Sequence, residues 1–151
     1  MALSIQELSD RIEINDLLTR YTSAIDAKDW GLLDTCFLPE ADVDYVSSGG
    51  IAGKYPEVRA WLEKALSIFP VTVHAISNSE IELEGDRAKG RTLVSNPMCL
   101  RDGEGKESIF TVYAYYHDDL VRTDAGWRIA KRYEEHVLTG GDIPEALKPK
   151  S

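Results

Sequence analysis

Cysteine is nearly absent: Cys36 and Cys99 are the only two, each lies among apolar neighbours, and neither sits in a C-x-x-C spacing. That excludes a disulfide framework and a thiolate metal site, and both read as buried free thiols. Long apolar runs are missing too. No stretch approaches the roughly 20 apolar residues needed to cross a bilayer. The start, Met1-Ala2-Leu3-Ser4, lacks the basic and apolar pattern of a secretion signal, so the expectation is a cytoplasmic protein. Neither G-x-G-x-x-G nor a P-loop is present, and no Ser or Cys lies in a recognisable nucleophile motif. Positive charge is in deficit as well. With 17 Lys and Arg against 26 Asp and Glu, the formal net charge is -9. Such a chain repels phosphate backbones and anionic lipid, which argues against nucleic acid and membrane surfaces as partners.

What is present is an ordinary globular composition, 43% hydrophobic and 28% charged over 151 residues, enough for one sizeable core. Ser4 and Glu7 form a capping-box pattern, and Ile5, Leu8, Ile12, Leu17, Leu18, Tyr21, Ala24 and Ile25 follow at helical spacing. This predicts a long first helix. Asp29 can cap a short second helix that Leu38-Pro39 stops. Residues 41–53 read as a short strand or hairpin, and Tyr55-Pro56 opens a third helix that ends near Phe69-Pro70.

From Val71 the period becomes alternating. Segments 71–84, 87–100, 106–122 and 127–138 are separated by Gly85-Asp86, Asp102-Gly103 and Asp124-Ala125-Gly126, which predicts long antiparallel strands. Helices first and strands last indicate an α+β fold with a strongly curved sheet around the helices. There is no repeat or linker, so residues 1–138 read as a single domain. The tail, 139–151, carries Gly140-Gly141, Pro144 and Pro149, and is expected either to be disordered or to cover a pocket mouth.

The order Ile14-Asn15-Asp16-Leu17-Leu18-x-x-Tyr21-x-x-x-x-Asp26, with Trp30 and Phe37, then His74 and Asn78, then Gly126-Trp127-Arg128-Ile129 with Arg132, resembles the SnoaL-like and scytalone-dehydratase-like group of the nuclear-transport-factor-2-like superfamily. The resemblance spans nearly the whole chain. It implies a cystatin-like α+β cone, with N-terminal helices packed in a strongly curved mixed or antiparallel sheet around a deep apolar pocket. The dehydratases and dehydrochlorinases of the group pair a His on the first long strand with an Asp near the end of the first helix. Asp26 and His74 match those positions. The resemblance also implies a lyase that needs no cofactor, a hydrophobic cyclic oxygenated substrate, and a homo-oligomer, with a trimer favoured over a dimer. Isomerases, cyclases and the non-catalytic small subunits of ring-hydroxylating dioxygenases share the fold and stand as alternatives.

The chemistry of the pair follows from its residue types. Elimination needs a base for a carbon-bound proton, and a neutral imidazole has suitable basicity near pH 7. A carboxylate on the other ring nitrogen fixes the tautomer and stabilises the imidazolium. Strict alternation puts His74 on one strand face with Ile76 and Asn78, a mixed face that suits a pocket. Tyr21 falls both on the apolar stripe of the first helix and at a place where related dehydratases carry a functional Tyr. Tyr45 and Asn96 are candidate binders of a substrate oxygen, with Tyr113 and Tyr115 as lining. Arg132, opposite Trp127 and Ile129 by alternation, is a binding candidate that needs an acidic neighbour or a substrate anion. His117 and His136 read as peripheral, and no metal site is expected because H-x-H and H-x-x-x-H spacings are lacking.

Overall fold

Ser4 caps the first helix as its sequence predicts: the hydroxyl accepts the Glu7 N–H at 3.1 Å and the Glu7 carboxylate accepts the Ser4 N–H at 2.7 Å. In this computed structural model, which describes residues 2–148, the helix α1 runs Ile5–Ala27. Its buried stripe starts at Asp10 and Ile14 and continues through Leu17, Leu18, Tyr21, Ala24 and Ile25. Ile5, Leu8 and Ile12, expected to share that stripe, are exposed instead. At that end the inward residue is Asp10, whose carboxylate takes the Arg122 guanidinium and the Trp127 indole N–H, so a polar contact replaces the apolar one. Each fully buried aliphatic side chain further along contributes about 2 kcal/mol.

Lys28 ends α1 in a left-handed conformation, φ 54°, with its N–H on the Ala24 and Ile25 carbonyls. Asp26 is thereby left in the last turn. Asp29 then caps α2, Trp30–Asp34, through its carboxylate and the Leu32 N–H. The strand β1 covers Phe37–Asp44, beginning earlier than the predicted 41. Pro39 fits there because the pairing of β1 with β7 is interrupted between Phe37 and Asp42. After β2, Ala52–Lys54, comes α3, Tyr55–Ala65, with Pro56 in its first turn.

The remaining strands are β3 Val71–Thr72, β4 Ala75–Glu84, β5 Arg87–Arg101, β6 Glu107–Thr123 and β7 Gly126–Gly141. The order is β2-β1-β7-β6-β5-β3, with β4 on the same β5 neighbour as β3. All pairs are antiparallel except β1 with β7, so the open, curved sheet is mixed. Its inner face packs on the three helices, as the predicted α+β cone requires.

Two irregularities shape the interior. The predicted strand 71–84 is broken at Val73-His74, between β3 and β4. In β7, Ile129 pairs with Leu120 and Lys131 with Asp119, so Ala130 is an extra residue. That bulge resets the alternation, and Arg132 joins Trp127 and Ile129 among the fully or nearly fully buried residues instead of facing away from them. The strand also runs on to Gly141, past the predicted 138. Of the tail, Ile143 packs against the core, residues 145–147 make a 3-10 turn, and none of the described residues lines the cavity described below. Residues 149–151 lie outside the described chain.

Candidate active site

The break between β3 and β4 frees the backbone of His74 from the ladder, and Asp26 captures it. One carboxylate oxygen accepts the His74 N–H at 2.7 Å; the other lies 2.6 Å from the ring nitrogen Nδ1 and accepts the Thr72 hydroxyl at 3.0 Å. Burial pushes the Asp26 carboxyl up, but the ring, backbone and charge of His74 together with Thr72 outweigh it and hold the group below its usual value. An ionised carboxylate next to Nδ1 makes that nitrogen a proton carrier, and in a neutral ring the lone pair is then on Nε2. The Asn96 amide donates to the Val73 carbonyl at 2.9 Å and lies 3.4 Å from Nδ1, so it pins the same break from β5.

His74 lines a cavity of about 110 Å³ together with Tyr21, Tyr45, Asn96 and Glu134. Ile25, Trp61, Leu62, Val94 and Met98 supply apolar wall. Gly50 is required in this wall, since a Cβ there would come within 2.8 Å of the Tyr45 Cβ and 2.9 Å of the Trp61 ring. The hydroxyls of Tyr21 and Tyr45 lie 3.1 Å apart, and the Tyr21 ring stands edge-on to the His74 ring at 6.3 Å. Burial raises both phenols far above their ordinary pKa, so they are neutral hydrogen-bonding groups. Either hydroxyl can be the donor within the pair.

Arg132 does not line this cavity. Fully buried, it forks onto Asp118 with Nε and Nη2 at 2.7 Å each, and its guanidinium lies over the Tyr21 and Tyr116 rings at 4.2 and 4.0 Å. It therefore sets the electrostatics of the wall while its fork is occupied by the acidic neighbour. Tyr113 and Tyr115 are not part of the lining. His117 bonds Glu135 and His136 bonds Thr139, both at exposed positions. Among the described residues no cluster of three or more potential ligands could hold a metal ion, and no helix is long and apolar enough to cross a membrane.

Among the described residues, Glu134 is the one carboxylic acid in the cavity wall, and sequence reasoning missed it. Strict alternation along 127–138 puts Glu134 with Arg132 on the face opposite Trp127 and Ile129, and only the bulge at Ala130 turns both inward.

A SnoaL-like domain matches residues 6–133 of the chain. The uncharacterized protein Rv2910c of Mycobacterium tuberculosis is 43% identical over 132 residues, covering 87% of this chain and 88% of that protein. Among solved structures, Kfla4162 of Kribbella flavida superposes with a TM-score of 0.80 at 25% identity, over 89% of this chain and 95% of that one. The hexachlorocyclohexane dehydrochlorinase LinA-type3 of Novosphingobium barchaimii LL02 gives a TM-score of 0.76 at 20% identity, over 95% and 97% of the two chains. At that identity the likeness speaks for the fold.

Proposed function

Because the chain belongs to the SnoaL-like domain family, we propose that it is a lyase of the dehydratase type, acting on a small hydrophobic, cyclic, oxygenated molecule through its own side chains. The observation that carries this reading is the 2.6 Å contact of Asp26 with His74 Nδ1 at the wall of a largely apolar cavity. His74 Nε2 removes a proton from carbon, the Asp26 carboxylate stabilises the resulting imidazolium, and a hydroxyl of the Tyr21–Tyr45 pair holds the substrate oxygen where charge develops. Apolar walls strengthen these interactions by keeping water out. The fold likeness to a dehydrochlorinase agrees with this reading.

The test is ring opening of 5-nitrobenzisoxazole, in which removal of one carbon-bound proton releases a coloured phenolate. His74→Ala is expected to slow the protein-dependent rate by about 100-fold or more. Equal rates for variant and parent would sink the base assignment.

A homo-oligomer belongs to the same reading. Ile109, Tyr113, Tyr133, Val137 and Leu138 leave apolar surface exposed on β6 and β7. Light scattering should give a mass above the 16.9 kDa of one chain, and a monomer would remove this part of the proposal.

A further inference from the structure

Among the described residues, the one carboxylic acid in the cavity wall has no part in the base chemistry. Glu134 lies on β7 two residues beyond Arg132, past the bulge, and lines the cavity with His74, Tyr21 and Tyr45. Tyr45 and Ser48 from the segment after β1, His74 from the β3–β4 break and Tyr116 from β6 line the same cavity, and the charges of Arg132 and His136 on β7 act on the largely buried carboxyl of Glu134. No ion pair joins it to Arg132, whose Nε and Nη2 are taken by Asp118. The Ser48 hydroxyl is the neutral donor beside the carboxyl and favours its ionised form. Glu134 is thus a carboxyl in an apolar, tyrosine-lined space with no fixed counter-ion.

We propose that Glu134 is the general acid of this site, and that the group it serves is a hydroxyl leaving group on the carbon next to the one His74 deprotonates. This rests on His74 as the base. In the step, Nε2 of His74 takes the proton, and the C–H electron pair becomes the new C=C bond. The adjacent C–O bond breaks with its pair on oxygen, and that oxygen takes the Glu134 proton and leaves as water. The imidazolium and the carboxylate that remain are reset by proton exchange with solvent. Burial raises the Glu134 carboxyl, against the opposing pull of Ser48, Arg132, His74 and His136, and this keeps the proton available. The consequence is a substrate class. A chloride departs without a proton, whereas hydroxide is a poor leaving group and needs one, so the site is equipped for β-hydroxy carbonyl compounds rather than for halides.

The experiment compares the parent protein, Glu134→Gln and His74→Ala on two probes. 4-Hydroxy-4-phenylbutan-2-one must lose its hydroxyl, while 5-nitrobenzisoxazole releases a phenolate that needs no proton. The loss caused by Glu134→Gln on the hydroxy ketone is expected to exceed its loss on the benzisoxazole by about 100-fold. Equal losses on both probes, or no loss on the hydroxy ketone, overturn the assignment. Failure of the base reading shows differently, as a His74→Ala protein that opens the benzisoxazole as fast as the parent. A carbon-13 titration of the glutamate carboxyls, with Glu134→Gln identifying the resonance, decides the matter without any substrate. Glu134 should still hold its proton where exposed glutamates have lost theirs, and ionisation together with them contradicts the proposal.

Discussion

Asp26 and Asp118 are both carboxylates bound to a cationic or potentially cationic partner in the interior, yet their settings differ. Asp118 and Arg132 are side chains with 2% and 0% exposure, joined by two 2.7 Å contacts, and the guanidinium never gives up its proton. Asp26 and His74 are 25% and 8% exposed, and the imidazole can lose or gain one. A fixed charge pair under tyrosine rings can only organise its surroundings. A carboxylate beside an imidazole at a cavity wall can move protons. The capacity for proton transfer depends on which partner titrates and what it faces, rather than on the shortness of the contact.

The sharpest way to break this contrast is to remove the acid from each pair. Asp118→Ala strands a buried guanidinium and is expected to destabilise the fold by about 3–5 kcal/mol in chemical denaturation. A loss below about 1 kcal/mol would mean that Arg132 finds another partner or water. Asp26→Asn should instead act on the rate, lowering benzisoxazole opening about 100-fold, about 2.7 kcal/mol in the barrier, because the ring loses its orienting carboxylate. A variant of Asp26 that unfolds like the Asp118 variant would erase the distinction. Tyr45→Phe is the smallest of the three, removing one phenol hydrogen bond worth about 1 kcal/mol and slowing turnover of a hydroxy ketone about fivefold.

Acid titration sharpens the same comparison. Asp26 is held below its usual value, so its pairing adds stability that is complete above the ordinary aspartate range and is lost as the pH falls through the depressed folded value. Asp26→Asn should flatten the acid limb of the stability curve over that window. An unchanged limb would show that the carboxylate is not held in the way the hydrogen bonds indicate.

Much of the fold was legible because its signals are local. The Ser4–Glu7 box, Pro56 at the start of α3 and the turns at Gly85-Asp86 and Gly126 each fix one boundary within a few residues. What escaped lies in the register between paired strands. A bulge at Ala130 depends on how β6 and β7 align, and it decides that Arg132 turns inward and meets Asp118. Glu134 was hidden for the same reason. The exposed Ile5, Leu8 and Ile12 show the converse, a helical period that the sheet does not cover. Asp26 and His74, 48 residues apart, were singled out through resemblance. Nothing in their spacing says that a strand break brings them together.

The most direct test of the account is a nitrogen-15 correlation spectrum of the His74 ring in the ligand-free protein. A neutral ring protonated at Nδ1, with that resonance lost or moved in Asp26→Asn, is the predicted result, since it places the lone pair on Nε2. A ring protonated at Nε2 alone would leave the cavity without its base and contradict the mechanism.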